Sequence, residues 1–175
     1  MSLHLPVAAQ SAREAALRAA FVYHMARYAT WPESAFASPE SPLTFCTLGT
    51  GPELTALEDQ LDGRRISGRD LLLNETHSLQ DLAGCHVVFA ATGVDSAQVD
   101  AALTSLGDRG VLTLAELDRF NERGGIVRFW LESADGPDGD RMGIRFAINL
   151  DVAERVNLRL SSKVLKLARI SRGGK

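Results

Sequence analysis

The chain has 175 residues, 45% of them apolar and 23% charged, with 19 basic and 22 acidic side chains and a net charge of −3. That length suits one domain of roughly 100–200 residues, and such a chain buries about 70% of its unfolded surface, so it needs no metal or disulfide to hold a core. The charge balance excludes a dedicated nucleic-acid binder, whose surface is strongly basic. No apolar run reaches the length of a membrane-spanning helix, about 18 residues.

Residues Met1–Gln10 show no periodicity and read as a tail. Ser11 and Glu14 have the spacing of a capping box. The alanine-rich segment that follows carries Leu17, Ala20, Phe21, His24, Met25 and Tyr28 as a helical stripe that Pro32 ends. A serine- and proline-rich loop leads to a strand at Leu43–Leu48, and Pro52 suits the first position of a helix running to Leu61. Strands are predicted at Arg69–Leu73, His86–Thr92 and Gly110–Leu114, with short helices at Ser78–Ala83, after Asp95 to Leu106, and at Ala115–Asn121. Ile126–Glu132 and Arg141–Leu150, joined by the polar loop SADGPDGD, read as an antiparallel hairpin. A short helix from Asp151 and a basic amphipathic helix over Leu160–Arg172 close the chain.

This order predicts an α/β layered sandwich over residues 11–172, with a Rossmann-like, mostly parallel sheet, a C-terminal antiparallel hairpin and flanking helices. No internal repeat or interdomain linker interrupts it.

Few residues have catalytic spacing. Gly49-Thr50-Gly51 follows a strand and opens a helix, but Leu54 holds the place of the last glycine in a dinucleotide loop and Pro52 removes an amide donor. Histidines 4, 24, 77 and 86 are scattered, and neither H-E-x-x-H nor C-x-x-C occurs. The reading is therefore of a non-enzyme without catalytic residue, metal or cofactor. From Arg155 onward the chain holds seven basic groups and no acid, so a net charge of −3 leaves −10 on the rest. Such asymmetry steers an acidic partner or an anionic membrane, or simply solvates a packing helix.

The hairpin alternates Val127, Phe129 and Leu131 with Ile126, Arg128 and Trp130, beside Ile144, Phe146 and Ile148 alternating with Arg145 and Asn149. Tryptophan and arginine beside isoleucine have the composition of a binding patch, the alternative being that helices cover this face too, and Ile126, Arg128, Trp130, Ile144 and Arg145 are the candidate partner-binding residues. Thr50, Thr92 and Leu114 fall near the C-terminal ends of the parallel strands, where open α/β sheets hold ligands. They are the candidate contacts for a small-molecule ligand. Cys46 and Cys85 lie on segments that neighbour each other in a β-α-β arrangement, and fit either a disulfide or two buried thiols.

The blocks AAFVYHMARYATWP, CTLG, GRRISGR, AGCHVVFAAT, VLTLAELDRFNERGGIVRFWLE and IRFAINLDVAERVNLRLSSKVLKLAR, taken in order, resemble the YfiR-like family from about Ala12 to Arg169. The glycine pair Gly124-Gly125 and the ending SSKVLKLA are the more specific pieces. The resemblance implies a periplasmic protein made with a signal peptide that this chain no longer carries. It implies a repressor that binds the periplasmic sensor domain of an inner-membrane diguanylate cyclase, lowering cyclic-di-GMP synthesis and biofilm formation in response to redox state. It implies an α/β homodimer with a disulfide between Cys46 and Cys85. Some members carry a second cysteine pair near the glycine pair, which is missing here, so redox gating through a second bridge is not expected. The alternative is a periplasmic small-molecule sensor acting on another membrane partner.

Overall fold

The computed structural model describes residues 6–134 and 141–173. It opens with helix α1, Val7–Arg27. Residues 7–10, read as tail from sequence, are therefore helical, with Pro6 rather than Ser11 at the cap. Alanine has the highest helix propensity, and Ala15, Ala19, Val22, Tyr23 and Ala26 recur on the buried face. His24 falls outside that face and is exposed. The helix stops short of Pro32 because Tyr28 accepts a bond from Ser161 N–H, and β1, Ala29–Thr30, pairs with β9, Arg159–Leu160.

The other strands form one eight-stranded sheet. They are β2 (Leu43–Leu48), β3 (Arg65–Ile66), β4 (Arg69–Thr76), β5 (Val87–Ala90), β6 (Leu112–Ala115), β7 (Val127–Ala134), β8 (Arg141–Asn149) and β10 (Arg169–Ser171), in the order β10-β8-β7-β6-β5-β2-β4-β3. Pairing is parallel except for the hairpins β3–β4 and β7–β8. All six residues of β2 are buried, as a central strand covered on both faces requires. The mostly parallel α/β sheet read from sequence is what forms.

Helices α2 (Pro52–Leu61), α3 (Ser96–Leu106), α4 (Leu150–Arg155) and α5 (Ser162–Leu165) and two 3-10 segments flank the sheet. Phe45, Phe89, Leu114 and Phe129 face α1 and α2, whereas Cys46, Val88 and Ala90 face α3. The face of β7 and β8 that carries Arg128, Trp130 and Arg145 belongs to neither apolar cluster. No described helix is long and apolar enough to cross a membrane.

Two expected helices do not form. Ala115–Asn121 is the end of β6 followed by turns, because Arg119 sits in the left-handed region (φ 59°) and cannot continue a right-handed helix. Leu160–Arg172 breaks into β9, α5 and β10, since β9 pairs with β1 and β10 lies parallel to β8. The polar loop lies outside the described residues from 135 to 140, as does Lys175. Gly125 is forced by packing: a Cβ there would meet the buried ring of Phe120 at 2.2 Å.

Candidate functional site

Strand pairing decides which hairpin residues share a face. Trp130 lies opposite Arg145, and Arg128 opposite Ala147, which in turn pairs with Arg169 of β10. The Arg128 guanidinium stands 5.0 Å from the Trp130 ring centroid and that of Arg169 5.4 Å. Both distances are within cation–π range. Arg128 also donates to Asp118 at 2.6 Å and Arg145 to Glu132 at 2.6 Å, while Arg169 has no ion pair among the described residues. The result is a half-exposed tryptophan with two guanidinium groups close to its ring, on a sheet face that belongs to neither apolar cluster.

Two of the five predicted patch residues do not belong to it. Ile126 is only 1% exposed, because its N–H donates to Thr113 Oγ1 and its carbonyl accepts from Asn149 N–H, drawing it inside. Ile144 pairs with Leu131 on the opposite face and packs against the main core. Asn149, which alternation puts beside Arg145, is fully buried. Arg169 is the addition: its helical-looking context hides a strand, and only the pairing of β10 with β8 brings it next to the tryptophan.

Cys46 and Cys85 are joined in a disulfide, their Cα atoms 5.9 Å apart. Cys85 caps a 3-10 segment (Leu79–Gly84) just before β5, and it lines a cleft of about 550 Å³ at the N-terminal ends of the parallel strands. His86 holds one wall of that cleft. Its Nδ1 accepts from Thr44 N–H at 3.0 Å, so Nε2 carries the proton and donates to the Ala35 carbonyl at 2.9 Å. Its ring stacks on Phe36 at 4.5 Å, and Arg69 lies 3.6 Å over the same phenyl ring while donating to the carbonyls of Ser38, Pro39 and Ser41.

Burial pushes the His86 pKa below the ordinary value, the nearby charge of Arg69 lowers it further, and the bond to Ala35 opposes both. The unfolded chain binds that proton near pH about 6.5 and the folded chain does not. The stabilisation from neutral His86 is therefore complete above that value and lost as the pH falls through the lower folded pKa. Urea unfolding at pH 8 and pH 5 is expected to show this loss, and His86→Gln to flatten it. An equal slope in the variant would remove His86 as the cause.

At the opposite rim, the C-terminal strand ends, Thr50 and Thr92 are exposed, but Leu114 is 0% exposed inside β6. Gly49 (φ +82°) packs so closely that a Cβ would lie 2.4 Å from Val94. Buried Arg18 draws in Glu116 at 2.7 Å, Glu14 at 3.6 Å and Glu53 at 3.7 Å. An anion approaching α2 would meet three carboxylates against one guanidinium, which excludes the phosphate reading of the Gly49–Gly51 turn.

A family model described as YfiR/HmsC-like matches residues 15–169. No curated protein matches the chain. A solved structure from Vibrio cholerae O1 biovar El Tor strain N16961, described as a conserved domain protein, is 14% identical with a TM-score of 0.48. The match covers 74% of this chain and 54% of that one, so the chain spans about half the length of that protein.

Proposed function

The chain belongs to the YfiR/HmsC-like family, and on that footing we propose a periplasmic, non-enzymatic regulator that binds the periplasmic domain of a membrane diguanylate cyclase and represses cyclic-di-GMP synthesis. The match over residues 15–169 carries the reading. A bridged cysteine pair, which persists in oxidising compartments, supports the location. The docking surface in this reading is Trp130 with Arg128, Arg145 and Arg169.

Flanked tryptophans are typical interface hot spots, worth about 2 kcal/mol or more on truncation. Trp130→Ala is therefore expected to weaken binding of the purified cyclase periplasmic domain by about 30-fold. Leu72→Ala, at an exposed leucine on distant β4, should leave it unchanged. Titration calorimetry reads both. Equal binding by wild type and Trp130→Ala defeats the surface, and no binding by wild type defeats the partner. Small-molecule sensing stands second. The cleft beside His86 supports it, but His86 Nε2 and Arg109 Nε and Nη1 already donate to backbone carbonyls there.

A further inference from the structure

β8 is nine residues long, but β10 pairs with only Ala147–Asn149 of it. The remaining six residues, Arg141–Phe146, form an open sheet edge. Asn149 N–H points to β7, where it bonds the Ile126 carbonyl at 2.8 Å. The β7–β8 register runs without a slip from Val127↔Ile148 to Ala134↔Arg141. Successive amides along a strand alternate sides, so Met142, Ile144, Phe146 and Ile148 point theirs outward. Ser171 Oγ bonding the Ile148 carbonyl at the β10 end agrees with that phase. Among the described residues, no strand pairs with the outer edge at Met142 or Ile144 and no loop hydrogen bond reaches it.

The two sides of this edge differ in chemistry. Met142, Ile144 and Phe146 are half-buried on one side, the last two packed on the main core. Arg141 and Arg145 stand exposed on the other, in line with Trp130 and Arg169. Leu167, two residues before β10, is 78% exposed, and neither Lys166 nor Arg169 has an ion pair among the described residues. An unpaired edge of this length is a template for another strand.

We propose that the open edge of β8 at Arg141–Phe146 accepts an extended segment of the partner in which acidic and apolar residues alternate. The proposal rests on the partner-binding reading above and specifies the chemistry of the bound segment. Its apolar side chains continue the row of Met142, Ile144 and Phe146, and its carboxylates meet Arg141 and Arg145. A second copy of this chain is disfavoured in the register centred on Gly143: antiparallel pairing of β8 with itself there sets Arg141 of one copy opposite Arg145 of the other, and like charges directly opposite destabilise a sheet.

The test uses the whole chain and three designed peptides of about eight residues: alternating Glu and Val, alternating Lys and Val, and the Glu–Val peptide N-methylated on the amides that would face β8. The Glu–Val peptide is expected to bind and to slow amide exchange at Met142 and Ile144 by about tenfold or more. The Lys–Val and N-methylated peptides should bind about tenfold or more weakly. Arg141→Glu combined with Arg145→Glu should reverse the charge preference while the protein still unfolds cooperatively, because the Arg145–Glu132 pair that it breaks is solvent-exposed. Equal binding of the N-methylated peptide, or binding without protection at the two amides, overturns strand addition. If the cyclase domain binds in calorimetry but the Glu–Val peptide does not, the edge proposal alone fails. If the peptide binds and protects but the cyclase domain does not, the partner reading alone fails.

Discussion

Removing the Cys46–Cys85 bridge is expected to lower stability by about 4 kcal/mol, the cost of releasing a cross-link with a sequence separation of 39 into the unfolded chain. At this chain length that corresponds to a fall in melting temperature of roughly 8–16 °C. Cys46→Ala with Cys85→Ala, and the wild type under reductant, should both show it, with the variant losing somewhat more because two buried sulfurs leave space behind. Both forms should still unfold in a cooperative transition. The main core runs from α1 and α2 across β2, β5, β6, β7 and β8 without using either sulfur, and the cysteines belong to the smaller cluster against α3. Thiol titration of the protein unfolded without reductant should find no free cysteine. Unchanged melting temperatures on reduction would show that the bridge constrains nothing. Non-cooperative unfolding would show that the smaller cluster depends on it.

The position of the bridge gives it a second consequence. Cys85 is followed directly by His86, whose carbonyl accepts from Trp31 Nε1 and Leu112 N–H and whose ring holds Thr44 and Ala35. Fixing Cys85 therefore fixes one wall of the cleft and the start of β5. Reduction should consequently raise amide exchange at Thr44 and Leu112 before it affects β7 and β8.

The parts of this fold that sequence reveals are those decided locally. β2 and β5 are continuous apolar runs because helices cover both their faces. α3 begins where Asp95 accepts the Ala97 N–H at 3.1 Å, a cap visible in the residue types alone. The hairpin is legible because Val127, Phe129 and Leu131 alternate with Arg128 and Trp130. The stretch from Leu160 onward is another matter. Leu160, Val164 and Leu167 recur at helical spacing, yet Leu167 is left in solvent and Arg169–Ser171 becomes a strand. A three-residue strand has almost no local signature; only a neighbour with unpaired edge groups stabilises it, and β8 lies some 20 residues earlier in the chain. The candidate site inherits that limit. Arg128, Trp130 and Arg145 follow from period-2 alternation, whereas Arg169 depends on a pairing that alternation cannot show. Ile126 and Asn149 mislead for a related reason: both stand at the ends of strands, where hydrogen bonds to Thr113 and Asn121, rather than the pleat, decide which way they face.

Asn149 is the residue whose loss should connect stability to the candidate surface. Its Oδ1 caps α4 by accepting from Val152 N–H at 3.2 Å, and its Nδ2 donates to the carbonyls of Asn121 at 2.9 Å and Gly173 at 3.0 Å. One buried side chain thus joins the turn before β7, the start of α4 and the end of β10. Asn149→Ala loses a cap worth about 1 kcal/mol and the two bonds from Nδ2 to carbonyls, at about 1 kcal/mol each, so a total near 3 kcal/mol is expected in urea unfolding. Asn149→Asp separates the two contributions. It keeps the cap acceptor but sets a carboxylate against two carbonyl oxygens, so it should destabilise at least as much as alanine; a near-neutral effect would reduce Asn149 to a helix cap. In both variants the bond to the Gly173 carbonyl is gone and only Asp151, accepting from Gly173 N–H at 2.7 Å, still holds that end, so amides of Arg169–Ser171 should exchange faster than those of β6. Because β10 holds Arg169 beside Trp130, loosening it should also weaken the proposed binding to a cyclase periplasmic domain at temperatures where the variants remain folded. Faster exchange in β10 with unchanged binding would place the interface on β7 and β8 alone.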